Sequence, residues 1–323
     1  QFNAIKDKIV RDYKNFSLSD AHQQTRDKGD GIFNHVKYSW KESLPVAEAA
    51  TLSDIEEYGK YLYKKTFVEG LVYGDFKKRD ARRALRLFKE KTKTRGIRRE
   101  HAFDIKYLDQ LQTEKIQYVG KLAVNNSCFY REYVLGEDSP EIRATSMVIS
   151  QALQQPFFTE MRTNQQLGYI VWSYARNRDE THYLSFVIQS GAFTADDVNQ
   201  RAADFIASTP EFLASMDGET FNQLKKSAIE QLEKKPMSIR ERANKLKTFI
   251  FEHNADFQRD DKTIAALKKL DQTSAVDLLA NTVSKDTRRM VNCLMFAEHH
   301  DNPTGVKSSF DDVNTWKASR SYK

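Results

Sequence analysis

The sequence predicts an α+β protein in which helices pack on one face of a largely antiparallel sheet. Three observations carry this: strand-like runs come in groups rather than alternating one by one with helices, a strand pair is followed by four helical stretches, and one apolar strand run closes the pattern. The chain has 323 residues, more than one ordinary compact domain needs, so two domains are expected. With 40% hydrophobic residues, including 14 Tyr and 20 Phe, it has ample material for a core and too little compositional bias for intrinsic disorder.

Phe2, Ile5, Ile9, Tyr13 and Phe16 recur at helical spacing and predict an opening helix, with Ser19 or Asp20 available to cap the next segment. Thr51-Leu52-Ser53-Asp54-Ile55-Glu56 opens another helix, because Ser53 and Glu56 have capping-box spacing and Ile55, Tyr58 and Leu62 then share a face. Residues 66–73, rich in β-branched and aromatic side chains and closed by Gly74-Asp75, predict a strand. Ala84, Leu85, Leu87 and Phe88 behind Asp80 as N-cap predict an amphipathic helix followed by a basic tether. Further strands are expected at 103–107, 115–118 and 128–135.

From Pro140 a helix carries Ile142, Met147, Val148 and Leu153, with Pro156 marking a break or kink near its end. Residues 168–175 and 182–189 read as a strand pair in which Tyr169, Val171 and Ser173 alternate with Ile170, Trp172 and Tyr174. Helices are expected around 198–206, 221–232, 239–250 and 264–279, and a last strand at 290–296. The first hundred residues echo only the helices-then-strand ending of this order, as though they were the second half of a similar unit.

Between Lys77 and Glu100 twelve Lys or Arg stand against three acids, a local charge of +9 in a chain whose total is +6. A solvated helix face is the expected reading, with attraction of acidic polypeptide as one alternative and nucleic acid as another. Only Phe76 and Phe88 interleave with the basic residues and no nucleic-acid-binding module is present, so no nucleic-acid partner is expected. No stretch approaches about 18 uninterrupted apolar residues, and the mean hydropathy is −0.68, so a soluble chain without membrane insertion is expected. The sequence begins Gln1-Phe2-Asn3, with neither an initiator Met nor a basic stretch leading into an apolar signal core, and reads as a fragment or processed form of a longer product.

Cys128 and Cys293 are too sparse for a disulfide framework and are expected to be buried, inert thiols. The seven histidines are His22, His35, His101, His182, His253, His299 and His300, and no two are four residues apart, the spacing that would point both imidazoles of one helix at a zinc ion. The neighbours His299 and His300 would diverge on a helix or strand, and their position just before Asp301-Asn302-Pro303 favours a solvated turn. No metal site is therefore expected in this chain. The G-x-S-x-G elbow, the Walker sequence and the dinucleotide fingerprint are all missing from the sequence.

Polar and aromatic chemistry is concentrated between Phe158 and Val171. An Arg near a helix end, a Gly turn and a Tyr opening a strand could bring a five-donor guanidinium and a phenol hydroxyl to one rim, suited to a carbonyl oxygen or a developing oxyanion. The structural alternative is a helix-to-strand connection in which Arg162 pairs with Glu160 or a helix terminus and Tyr169 packs at a sheet edge.

The same segment, Arg162-Thr163-Asn164-Gln165-Gln166-Leu167-Gly168-Tyr169-Ile170-Val171, closely resembles the R-x-x-x-Q-L-G-Y-x-V motif in the C-terminal half of the M16 zinc metallopeptidases, the pitrilysin and insulin-degrading enzyme family. His182 to Ser190 resembles the strand that comes after the motif, Thr66 to Asp75 resembles the strand closing the preceding domain, and the similarity runs over essentially the whole chain. The resemblance implies domains of the LuxS/MPP-like metallohydrolase fold. Residues 1–105 would be the later part of a third such domain with its basic linker, and 106–323 a complete fourth. It further implies a metalloprotease whose two halves close like a clamshell around peptide substrates. Its zinc would be held by an H-x-x-E-H motif in the N-terminal half, which this chain lacks. By the same resemblance Arg162 and Tyr169 contact substrate backbone beside the scissile bond, supported by Gln166, Leu167 and Gly168. The partners implied are the N-terminal catalytic half and peptides; a bacterial source would suggest the periplasm. The alternative is a catalytically inactive M16-like binding or scaffold subunit.

Overall fold

The computed structural model describes residues 1–110 and 113–323. Helices α1 (Phe2–Phe16), α2 (Ala21–Phe33), α3 (Trp40–Ala49) and α4 (Leu52–Lys64) lead to strand β1 (Lys65–Thr66), helix α5 (Lys78–Thr92) and strand β2 (Arg95–Gly96). Strands β3 (Lys115–Lys121) and β4 (Ser127–Glu137) precede helix α6 (Pro140–Phe158), a π-helical turn at Thr159–Asn164, and strands β5 (Ile170–Arg178) and β6 (Thr181–Ser190). Then come α7 (Ala195–Ser215), α8 (Gly218–Glu233), α9 (Ile239–Phe251), α10 (Arg259–Lys269), α11 (Gln272–Val283), β7 (Met290–Phe296) and α12 (Val313–Ala318).

The main sheet has the order β3-β7-β4-β6-β5, antiparallel at every junction except β3 with β7. Its central strand β4 is buried on both faces, and strict alternation divides its side chains between two apolar layers. Phe129 and Tyr133, with Leu184, Phe186, Leu294 and Phe296 from the neighbouring strands, face the helical layer built by α6, α7, α8, α10 and α11. Cys128, Tyr130, Val187, Val291 and Cys293 face the other way, where Ile32 and Phe33 of α2 and Trp316 of α12 form a smaller cover. The helical layer thus lies on one face as expected, and the opposite face is also covered.

Packing separates two compact units. The larger holds residues 14–39, 106–234 and 259–323 and contains the sheet; the smaller holds residues 1–13, 40–105 and 235–258. In the smaller unit the sole buried apolar residue among those described is Phe249, at 8% exposure, and α1, α3, α4 and α5 bury no residue at all.

Several local expectations are corrected. The strand at 66–73 shrinks to Lys65–Thr66, paired in parallel with Arg95–Gly96, because β-propensity acts only where a neighbouring strand takes up the backbone groups, and no ladder forms at 67–73. No ladder forms at 103–107 either, where Tyr107 makes an isolated bridge to Asn34. The box that caps α4 is Thr51 with Asp54: Asp54 accepts from the Thr51 N–H at 2.8 Å and returns its own N–H to Thr51 Oγ1 at 3.3 Å. Likewise Asp80 sits inside α5 and accepts from the Lys77 N–H at 2.9 Å, three residues after the true N-cap. The helix expected over 264–279 is two helices, because Asp271 accepts from the Ser274 N–H at 2.7 Å and caps a fresh start.

Asp138, at the end of β4, joins the hairpin to the helical layer. It accepts from Arg259 through both oxygens at 2.7 Å, from Arg143 at 2.7 Å, and meets His182 Nε2 at 2.7 Å. Burial alone would raise its pKa, yet the bonds from Arg259 and His182 and the charges of Arg259 and Arg143 hold it well below the usual carboxylate range. Burial lowers the pKa of His182, and the charges of Arg259 and Arg143 reinforce this against the Asp138 bond. Both shifts act in one direction. Below about pH 6.5 the unfolded chain binds a proton at His182 that the folded chain resists, and the contribution of Asp138 fades as pH falls further, so stability declines with acid. Asp138→Asn is expected to cost about 2 kcal/mol at pH 7 and to flatten melting temperature against pH below about pH 4, where Asp138 itself titrates. A variant whose curve overlies that of the wild type would contradict this role.

Candidate functional site

The site grows out of the end of α6. Pro156 has no N–H to return to the helix, and the Thr159 N–H is shared between the Gln155 and Pro156 carbonyls. The helix then widens: Gln165 N–H reaches the Glu160 carbonyl at 3.0 Å and Leu167 N–H the Met161 carbonyl at 2.9 Å. The Glu160 carboxylate clamps this turn, accepting from Gln165 Nε2 at 2.8 Å and Asn164 Nδ2 at 2.7 Å, and these bonds hold its pKa below the ordinary value. Met161 and Leu167, at 0% and 1% exposure, pin the turn into the main core.

Two backbone features turn the chain from helix into strand. Gln166 adopts φ +53°, the left-handed region that non-glycine residues enter at a cost. Gly168 then passes so close to β6 that a Cβ there would lie 1.9 Å from the Gln189 carbonyl oxygen. The result places Tyr169 at the rim with 80% exposure, and the Arg162 guanidinium lies 4.3 Å from the centre of its ring and 4.9 Å from that of Phe158.

The structure therefore brings Arg162 and Tyr169 together, with Gln166, Leu167 and Gly168 shaping the connection. Neither pairing of the structural alternative is present. Glu160 is taken by Asn164 and Gln165, and among the described residues neither the Arg162 guanidinium nor the Tyr169 hydroxyl has a hydrogen-bond or ion-pair partner. A planar donor fork and a phenol are presented side by side to solvent, an arrangement able to bind a carbonyl or carboxylate oxygen. The Glu160 clamp was not foreseen, although its i,i+4 spacing to Asn164 was readable. Nor was the contact between half-exposed Trp172 of β5 and His22, whose rings meet edge to face at 5.2 Å.

The other candidates fall elsewhere. Cys128 and Cys293 are fully buried, and burial pushes the Cys128 thiol up to about 12. His299 and His300 lie in a turn, as expected, with their rings 4.2 Å apart and His300 Nδ1 at 2.8 Å from Ser127 Oγ. Among the described residues no group of three or more His, Cys, Asp or Glu is arranged to hold a metal, and no helix is long and apolar enough to cross a membrane.

Residues 148–247 match the family model described as PQQ synthase PqqF-like, C-terminal lobe domain 4. The A-factor-processing enzyme of Saccharomyces cerevisiae is 23% identical over 291 residues, covering 88% of this chain and 28% of that protein. The insulin-degrading enzyme of Drosophila melanogaster is 22% identical over 314 residues, covering 93% and 31%. This chain thus spans about three-tenths of the length of these relatives. In fold it is similar to pitrilysin, with a TM-score of 0.84 and 19% identity over 99% of this chain and 34% of that one. A structure described as a peptidase M16 inactive domain from Pseudomonas fluorescens gives 0.63 and 14% over 91% and 69%.

Proposed function

The chain is a C-terminal M16 peptidase half by sequence similarity and by fold, and on that premise we propose that it supplies the substrate-binding side of a zinc metalloendopeptidase that degrades peptides in a closed chamber. The single observation that supports this reading most is the pairing of Arg162 with Tyr169: two hydrogen-bonding groups stacked at 4.3 Å, held by a buried turn and carrying no polar partner among the described residues. Tyr169 would donate its hydroxyl proton to a substrate carbonyl oxygen, an interaction that strengthens as negative charge develops there. Arg162, held over the ring, would fix the neighbouring stretch of peptide backbone through its fork of donors. A scaffold subunit without catalysis would leave this pair idle.

On this reading zinc would be held by the N-terminal half and would supply an activated water there. The residues of the present chain do not fit it, since none of the described ones form a ligand group. Residues 1–105 would be the later part of the third M16-type domain and 106–323 the fourth. The compact units follow that division only in part, because residues 14–39 pack with the larger unit and 235–258 with the smaller, whose core is sparse. Ile5, Ile9, Ile55, Tyr58, Leu85 and Leu87 all lie exposed there, as expected of helices whose cover comes from elsewhere in the protein. A bacterial source would put the protein in the periplasm.

After rinsing with chelator, the 323-residue chain alone should hold no stoichiometric zinc and cleave no peptide. Elemental analysis showing one tightly held zinc per chain, or chelator-sensitive proteolysis by the chain alone, would sink the proposal.

A further inference from the structure

A second site lies in the larger unit, on the helical face of the sheet near its β3 edge. There α7 and α11 leave a cavity of about 530 Å³ against β3, β7 and β4. Its floor is a row of polar residues across three strands: Gln117 is the register partner of Asn292, and Asn292 that of Arg131. Around this row the face carries apolar residues such as Phe129, Leu294 and Phe296.

Arg131 is the unusual member. It is 4% exposed and lies on the central strand, yet its hydrogen bonds go to neutral atoms: Nε to Asn292 Oδ1 at 3.2 Å, Nη1 to Tyr133 Oη at 3.0 Å and Nη2 to Asn199 Oδ1 at 2.6 Å. Its neighbour Glu132, also buried but on the opposite face, is neutralised by Arg176 and Arg178. Among the described residues no carboxylate lies within 4 Å of Arg131. A guanidinium has five N–H donors, so two remain uncommitted, and a buried charge without a counter-charge is costly.

The rest of the lining points the same way. Lys285 and Arg288 add two more cations against one carboxylate, Asp204, which is occupied by Gln200 at 2.9 Å. The Arg288 Nε is buried and has no hydrogen-bond partner among the described residues. Ala203, Ala207, Val283 and Met290 supply apolar wall. Three cations and one carboxylate leave a double positive charge, which matches the dianion of a phosphomonoester better than a monoanion. The volume suits a small organic molecule.

We propose that this cavity binds a small organic phosphate, its phosphoryl oxygens meeting Arg131 and Arg288 and its organic part lying against the apolar wall. Isothermal titration of the chain with phenyl phosphate, phenol and benzoate at matched ionic strength tests this. The expected result is saturable one-to-one binding of phenyl phosphate, at least tenfold weaker binding of benzoate and none of phenol. Arg288→Gln should weaken phenyl phosphate at least tenfold and the surface substitution Lys285→Gln severalfold, both with unchanged melting temperature. If Arg288→Gln fails to fold, Lys285→Gln decides alone. Absence of saturable binding would overturn the proposal. So would unchanged binding in both variants, which would move the site to the basic stretch at 77–99, and so would benzoate binding as tightly as phenyl phosphate, which would reject a phosphate-selective site.

Discussion

In the full enzyme, Tyr169→Phe is expected to lower kcat/KM by roughly ten to a thousandfold while leaving zinc content and melting temperature unchanged. The change removes one hydroxyl and keeps the ring, so the stacking of Arg162 at 4.3 Å survives. At 80% exposure the hydroxyl supports nothing inside the fold. The loss is that of a donor to substrate, worth on the order of 3 to 4 kcal/mol if it acts mainly in the transition state and less if it serves ground-state binding. Arg162→Lys should be damaging as well, because an ammonium reproduces neither the planar fork nor the stacking. A purely structural role for the pair would give the reverse pattern, with lowered melting temperature and near-normal turnover per folded molecule. Steady-state kinetics with zinc analysis and calorimetry on both variants separate these outcomes.

Gly168→Ala is expected to cost stability as well as activity. The added methyl would sit 1.9 Å from the Gln189 carbonyl oxygen, a backbone atom in the β5–β6 pairing that cannot swing aside as a side chain could. Relief requires moving β5 away from β6 or unwinding the turn that buries Leu167. By analogy with overpacked cores the loss is about 3 kcal/mol, and denaturant unfolding measures it directly. A loss under about 0.5 kcal/mol, the range of ordinary surface substitutions, would mean that the turn is far softer than its geometry implies.

Strands β4, β6 and β7 were legible because their runs are rich in apolar residues and bounded by turn signals. The strand expected at 66–73 had the same composition, but composition does not reveal whether a partner strand is at hand. Arg162 and Tyr169 were legible as residues through their motif. Their stacking was not, since it depends on the left-handed Gln166, the π-turn after Pro156 and the approach of Gly168 to a neighbouring strand. Arg131 was hidden inside an apolar run, and its polar row becomes visible only once the register of β3, β7 and β4 is known. Asp271 split a helix that periodicity alone had joined, because a capping residue can also sit within an amphipathic pattern.

The central claim, that this chain is the substrate-contacting half of a peptidase, is tested most directly by reconstitution. The chain is mixed with a separately produced N-terminal half carrying the H-x-x-E-H motif, and hydrolysis of a fluorogenic peptide is monitored. The mixture should cleave at least tenfold faster than the N-terminal half alone, and a mixture made with the Tyr169→Phe chain should lose most of that gain. No gain on mixing, or an equal gain with the Tyr169→Phe chain, would contradict the account.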